Sequence, residues 1–176
     1  MSGADGWVAG ELAWGLIPGW AAERKAGQMR INARAETVIE KPSFRHSFHH
    51  GRCLVLGDGF FKWQGEGKHR RPMLIKRKDG RPFAFAGLWD RWQATDQEAV
   101  LSCTITTTAA NEAVRAIHDR MPVILGRREQ QVWLDTEELA GLSGVLRPCD
   151  PGLLDVYPVS SVVNSARNDL PESVQP

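Results

Sequence analysis

His118-Asp119-Arg120-Met121-Pro122 sets an imidazole, a carboxylate and a guanidinium side by side, where a helical pattern ends and the apolar run Pro122–Leu125 begins. Histidine titrates near neutral pH, so His118 can serve as a general acid or base. The same side chain can instead bond a free carbonyl at the helix end. A second group is Asn32-Ala33-Arg34-Ala35-Glu36-Thr37. In an extended chain alternate side chains share a face, which would align Asn32, Arg34 and Glu36. Three such unlike polar groups are costly to bury unpaired. They fit a groove, with Asn32 on a sugar or carbonyl oxygen and Arg34 on a phosphate. They equally fit a solvated edge strand with an Arg–Glu pair.

Other clusters say less. His46, His49, His50 and Cys53 form one dense group without the second, separated ligand pair usual for zinc, so a solvated basic surface is expected and no metal. Lys68-His69-Arg70-Arg71 and Lys76-Arg77-Lys78 read as solvated basic runs. Trp20 and Trp63 would suit base stacking beside them. No serine sits in a G-x-S-x-G elbow, which removes a hydrolase triad from consideration.

The elements that must hold these groups follow from pattern. The chain has 176 residues, enough for one domain with its own core. Its net charge of +1 excludes a protein that coats nucleic acid by bulk charge, though not a local basic groove. No run is long and apolar enough for a membrane helix, and the N-terminus lacks the basic and apolar regions of a signal peptide. Three widely spaced cysteines make no disulfide framework and fit a reduced cytosolic setting. Seven Trp against one Tyr favours some indoles lining a groove.

Along the chain, 1–13 is expected to be loosely held. Leu12–Trp20 reads as a short strand ended by a Pro-Gly turn, and Ala21–Gln28 as a short helix or loop. Met29–Thr37 reads as extended, and Arg45–Arg52 as a cationic helix or loop. Strands are expected through Cys53–Gln64, through two apolar runs flanking Lys78–Arg81, and over Ala99–Ala109. Asp79-Gly80 between apolar runs predicts a hairpin. Asn111 should cap a helix, with short helices at Arg128–Leu134 and Thr136–Leu142 and a strand near Leu153–Pro158. Strands in a block with helices inserted or appended indicate α+β.

Several of these segments, in order, resemble one family. They are WGLIPGWA (14–21), NARAET (32–37), FRHSFHHGRCLV (44–55), DGFFKW (58–63), FAFAGLWDRW (83–92), CTITTTAAN (103–111), IHDRMPVIL (117–125) and YPVSSVVNSARND (157–169). They look like the SOS-response-associated peptidase family, the abasic-site-crosslinking proteins. The resemblance implies a β-rich α+β domain over 14–176, with curved, barrel-like antiparallel sheets, short flanking helices and a positively charged groove for single-stranded DNA. It implies a thiazolidine crosslink between an N-terminal Cys and an abasic site, and an autoproteolytic activity.

By the same resemblance His118 and Asn32 occupy catalytic positions, and Lys62 stands where the family has a catalytic Glu. Arg34, Arg120, Trp20 and Trp63 fall at DNA-contacting positions. Only thirteen residues precede Trp14, against several tens including the Cys in typical members, so an N-terminally shortened member with an uncovered sheet edge is expected. The missing Cys and the lysine at 62 weigh against the covalent step. A lysine amine can itself form a reversible imine with an aldehyde. The expected partner is single-stranded DNA with abasic sites, with no membrane, no cofactor and no named protein partner. The expected location is the cytoplasm, on the nucleoid after DNA damage. The alternative is a non-catalytic single-stranded-DNA-binding module or a truncated remnant.

Overall fold

Strand β9 (Val100–Ala109) is the axis of the largest of the three sheets among the described residues. Its Thr-rich, β-branched sequence suits a pleated surface covered on both sides, and Ser102, Cys103, Thr104, Thr106, Thr107 and Thr108 are all buried. A computed structural model describes residues 2–3, 6–23, 30–67, 70–94, 98–135 and 139–175. These residues fall into two compact units, one made of residues 1–55, 84–108 and 122–147, the other of 56–83, 109–121 and 148–176.

In the six-stranded sheet the order is β10 (Arg120–Pro122), β9, β8 (Phe83–Trp92), β5 (Arg52–Gly57). Two short strands, β3 (Ala13–Trp14) and β4 (Asn32–Arg34), lie along β9 in parallel, against Ser102–Cys103 and Ile105–Thr107. Nearer the N-terminus β1 (Ser2–Gly3) pairs antiparallel with β2 (Gly6–Trp7). Met1, Ala4 and Asp5 of the segment expected to be loosely held lie outside the described residues.

Helix α1 (Pro42–His50) begins on a proline, whose missing N–H costs nothing there. It buries Phe44, Ser47 and Phe48 and leaves Arg45, His46, His49 and His50 exposed, so the cationic segment is a helix. Helix α3 (Arg127–Asp135) packs Trp133 with no exposed surface, its ring edge-on to Phe48 at 5.8 Å. Around this contact the core gathers Leu16, Val38, Leu88, Val123, Leu125 and Leu142. Leu142 belongs to the short helix α4 (Leu139–Leu142). Gly51 ends α1 where a Cβ would collide with the Trp89 carbonyl, so only glycine admits that close approach.

The second unit holds an antiparallel sheet, β11 (Leu154–Pro158), β7 (Arg71–Arg77), β6 (Gly59–Gln64). With it goes helix α2 (Glu112–Arg115), capped by the Asn111 side chain, which accepts the Val114 amide at 3.2 Å.

The β-rich α+β reading holds, and three local expectations change. Asp79-Gly80 does not join a hairpin: β7 pairs with β6 and β11, and β8 pairs with β9. The loop closes on itself instead, Asp79 taking both Arg77 guanidinium bonds at 2.8 and 2.6 Å. Pro82 then offers no N–H with which to begin a ladder. The paired hairpin is β6–β7, turned at Gly65 and Gly67 with φ of 92° and 57°. Its neighbours Lys68 and His69 lie outside the described residues.

Second, the extended segment around Asn32 is short. β4 ends at Arg34, and Thr37 N–H turns back to the Arg34 carbonyl at 3.1 Å, so Glu36 leaves the strand and does not join Asn32 and Arg34 on its face. Third, the largest sheet is mixed, because β3 and β4 run parallel to β9. Met29, most of Ala21–Gln28 and 136–138 of the second short helix lie outside the described residues.

Candidate functional site

Alternation along β6 puts Phe60, Lys62 and Gln64 on one face and Phe61 and Trp63 on the other. The first face meets the segment that follows α2. Gln64 Nε2 donates to the Ala116 carbonyl at 3.5 Å, and the charges that act on Lys62 are Asp119 and Arg120. Opposite Lys62 across the ladder stands buried Met73, with fully buried Ile75 opposite Phe60. Lys62 therefore has apolar residues as its cross-strand neighbours on this face. Burial pushes its ammonium below the usual range, Asp119 opposes that shift and Arg120 adds to it.

His118 follows directly from the helix turn, its N–H bonded to the Val114 carbonyl at 3.0 Å. Its Nδ1 lies 2.9 Å from the Arg120 amide nitrogen and 2.9 Å from an Asp119 carboxylate oxygen. A neutral ring accepts the Arg120 N–H at Nδ1, and a protonated ring donates from Nδ1 to Asp119. With Nδ1 accepting the Arg120 N–H, the neutral ring carries its proton on Nε2, on a half-exposed side chain.

Trp63, on the opposite face of β6, donates its indole N–H to the Asn164 side-chain oxygen at 2.7 Å. That bond fixes the ring while leaving it only half-buried. The second unit thus sets Lys62 under the charges of Asp119 and Arg120, bonds the His118 ring to the Arg120 amide, and fixes Trp63 on the same strand as Lys62.

The first unit carries Trp20, Asn32 and Arg34. Trp20 is 62% exposed, yet its flanks are tightly held. Buried Asp90 accepts the Gly19 amide at 2.9 Å, and the Trp92 indole donates to the Ala21 carbonyl at 2.7 Å. Upstream, the Ile17 amide donates to Ser102 Oγ at 2.9 Å. On β4, Ala33 is fully buried while Asn32 and Arg34 face outward, so the pleat presents an amide and a guanidinium together. Trp14, 54% exposed, donates its indole N–H to the Ile31 carbonyl at 2.9 Å just before them.

Sequence reasoning missed the residues that do the holding. Asp90 was signalled by an acid inside the otherwise apolar Leu88-Trp89-Asp90-Arg91-Trp92, whereas nothing local marks Asn164 or Ser102 as anchors. Elsewhere, burial raises the Cys53 thiol to about 12 and also raises Cys103, which removes both as thiolate nucleophiles at neutral pH. Among the described residues no group of three or more His, Cys, Asp or Glu is placed to hold a metal ion, and no helix is long and apolar enough to cross a membrane.

The chain is similar to known proteins. The family model described as SOS response associated peptidase (SRAP) matches residues 3–166. The abasic site processing protein YoqW of Bacillus subtilis is 44% identical over 169 residues, covering 94% of this chain and 75% of that protein. The abasic site processing protein HMCES of Gallus gallus is 33% identical over 192 residues; 94% of this chain aligns to 56% of it. A crystal structure of a Bacteroides thetaiotaomicron protein superposes with a TM-score of 0.84 at 36% identity, covering 92% of this chain and 74% of that one.

Proposed function

The chain belongs to the SOS response associated peptidase family, and from that premise we propose that it processes abasic sites in DNA, holding a single strand at a sugar that has lost its base. The observation that carries the reading is that one unit holds Lys62 under the charges of Asp119 and Arg120 and bonds the neighbouring His118 ring to the Arg120 amide.

The roles follow from side-chain chemistry. An abasic sugar interconverts between a closed hemiacetal and an open aldehyde. His118 Nε2–H donates to the ring oxygen as the sugar opens. Asn32 bonds a sugar oxygen, and Arg34 and Arg120 hold phosphates. Trp20 and Trp63 stack on bases, which a single strand exposes and a duplex hides. Residues 14–176 act as one domain of the family, each unit contributing its own DNA-contacting side chains. The natural setting is the cytoplasm, at damaged DNA on the nucleoid.

Fluorescence anisotropy with an oligonucleotide carrying a tetrahydrofuran abasic analogue tests this. Single strand should bind more tightly than the matching duplex, with affinity falling as salt rises. Arg34→Ala and Arg120→Ala should each flatten the log–log salt slope by about 0.7, the value for one phosphate contact on a single strand. Equal affinity for the two DNA forms, or no salt dependence, would refute the reading.

A further inference from the structure

We propose that Lys62 is an amine nucleophile that forms a reversible imine with the opened sugar of the abasic site, an inference that rests on the abasic-DNA reading above. Lys62 stands opposite buried Met73 on the neighbouring strand, on the face of β6 whose Gln64 bonds the Ala116 carbonyl at 3.5 Å, and the charges of Asp119 and Arg120 act on its ammonium. An aldehyde held by Arg120 through the adjoining phosphate, and by His118 through its proton, would lie beside the one lysine of β6.

Two further features favour reaction at this amine. Burial works against its charged form, so a larger share is neutral and nucleophilic than for a solvated lysine. In its protonated form, with Nδ1 on the Asp119 carboxylate, His118 supplies the acid that imine formation needs.

The step balances without any redox partner. Neutral Nζ bonds to the aldehyde carbon, the carbonyl π pair moves to oxygen, and the proton that the now cationic nitrogen sheds passes to that oxygen, giving the neutral carbinolamine. The carbinolamine oxygen then leaves as water, protonated by His118, and the nitrogen lone pair forms the C=N bond. Hydrolysis runs the same steps backward and returns both aldehyde and free lysine. The bond is therefore a temporary tether, distinct in kind from a durable crosslink.

Reductive trapping reads the imine directly. Wild-type protein is incubated with an abasic single-stranded oligonucleotide, with and without borohydride, which delivers hydride to the imine carbon and leaves a stable secondary amine. The expected result is a reductant-dependent adduct on a denaturing gel, mapped by peptide mass spectrometry to Lys62. In Lys62→Arg and Lys62→Gln, each checked for a cooperative melt, the adduct should fall to the level seen with an intact strand. An adduct at another amine, an undiminished adduct in Lys62→Arg, or none in the wild type would overturn the proposal. The tetrahydrofuran analogue has no aldehyde, so its binding separates the two ideas. Binding without trapping sinks the imine alone; absence of binding sinks the abasic-DNA reading and the imine with it.

Discussion

Two tryptophans show how differently the two units use the same side chain. In the first unit Trp133 has no exposed surface, donates its indole N–H to the Cys53 carbonyl at 3.0 Å and packs edge-on against Phe48. Arg52 closes the same corner, bonding the carbonyls of Trp133 and Phe48 at 2.6 and 2.8 Å. In the second unit Trp63 is half-buried, and its indole N–H goes to a side chain, Asn164. The first arrangement converts area into stability, with each polar atom answered by backbone. The second spends a hydrogen bond on orientation and leaves ring surface free. The charged groups repeat the contrast. Buried Asp90 accepts amides from Gly19 and Arg91, whereas Lys62 sits half-buried with its charge disfavoured. The proposed DNA-binding side chains thus rest on a half-buried lysine and an oriented indole in the second unit and on a buried core in the first.

Trp133→Ala probes the stabilising side and should have the largest effect. Removing a fully buried indole costs about 3–5 kcal/mol, a large part of a typical total of about 5–15. Urea denaturation should show a lower midpoint with an unchanged slope. Trp20→Ala should leave the melt nearly unchanged, because the ring is mostly exposed, yet weaken single-stranded DNA binding by about 1–3 kcal/mol. Loss of stability without loss of binding would break the division of labour.

The smallest effect concerns Lys62→Met, which should raise stability at neutral pH. Below the lowered folded-state pKa both folded and unfolded chains hold the proton, so the burial penalty is present in full. As pH rises through that pKa toward the ordinary 10.5, the folded chain sheds its proton first. The unfolded state then binds more protons, so wild-type stability increases with pH and the advantage of the methionine variant shrinks. Melting at several pH values between 7 and 10 checks the sign.

Much of this was legible in the chain. The strand at 100–109 and the Asn111 cap follow from β-branched content and capping chemistry, which act over a few residues. The family motifs supplied the proposed roles of His118, Asn32, Arg34 and Arg120. What was not legible depended on distant partners. The turn at Asp79-Gly80 looks like a hairpin locally, and only the pairing of β11 along β7 shows otherwise. Glu36 fits the alternation of Asn32 and Arg34 on paper, but the chain turns at Arg34. Asp90 and Asn164 act on residues 71 and 101 positions away, and no local pattern encodes that.

Hydrogen exchange read by mass spectrometry, with and without an abasic single-stranded oligonucleotide, tests the account most directly. DNA should slow exchange around 17–21, 31–35, 60–64 and 116–121, the segments that carry the proposed contacts. Helix α3 around Trp133 should exchange at the same rate in both samples. Protection confined to α1 and α3, or none in the 60–64 and 116–121 segments, would contradict the assignment of DNA binding to Lys62, Trp63, His118 and Arg120.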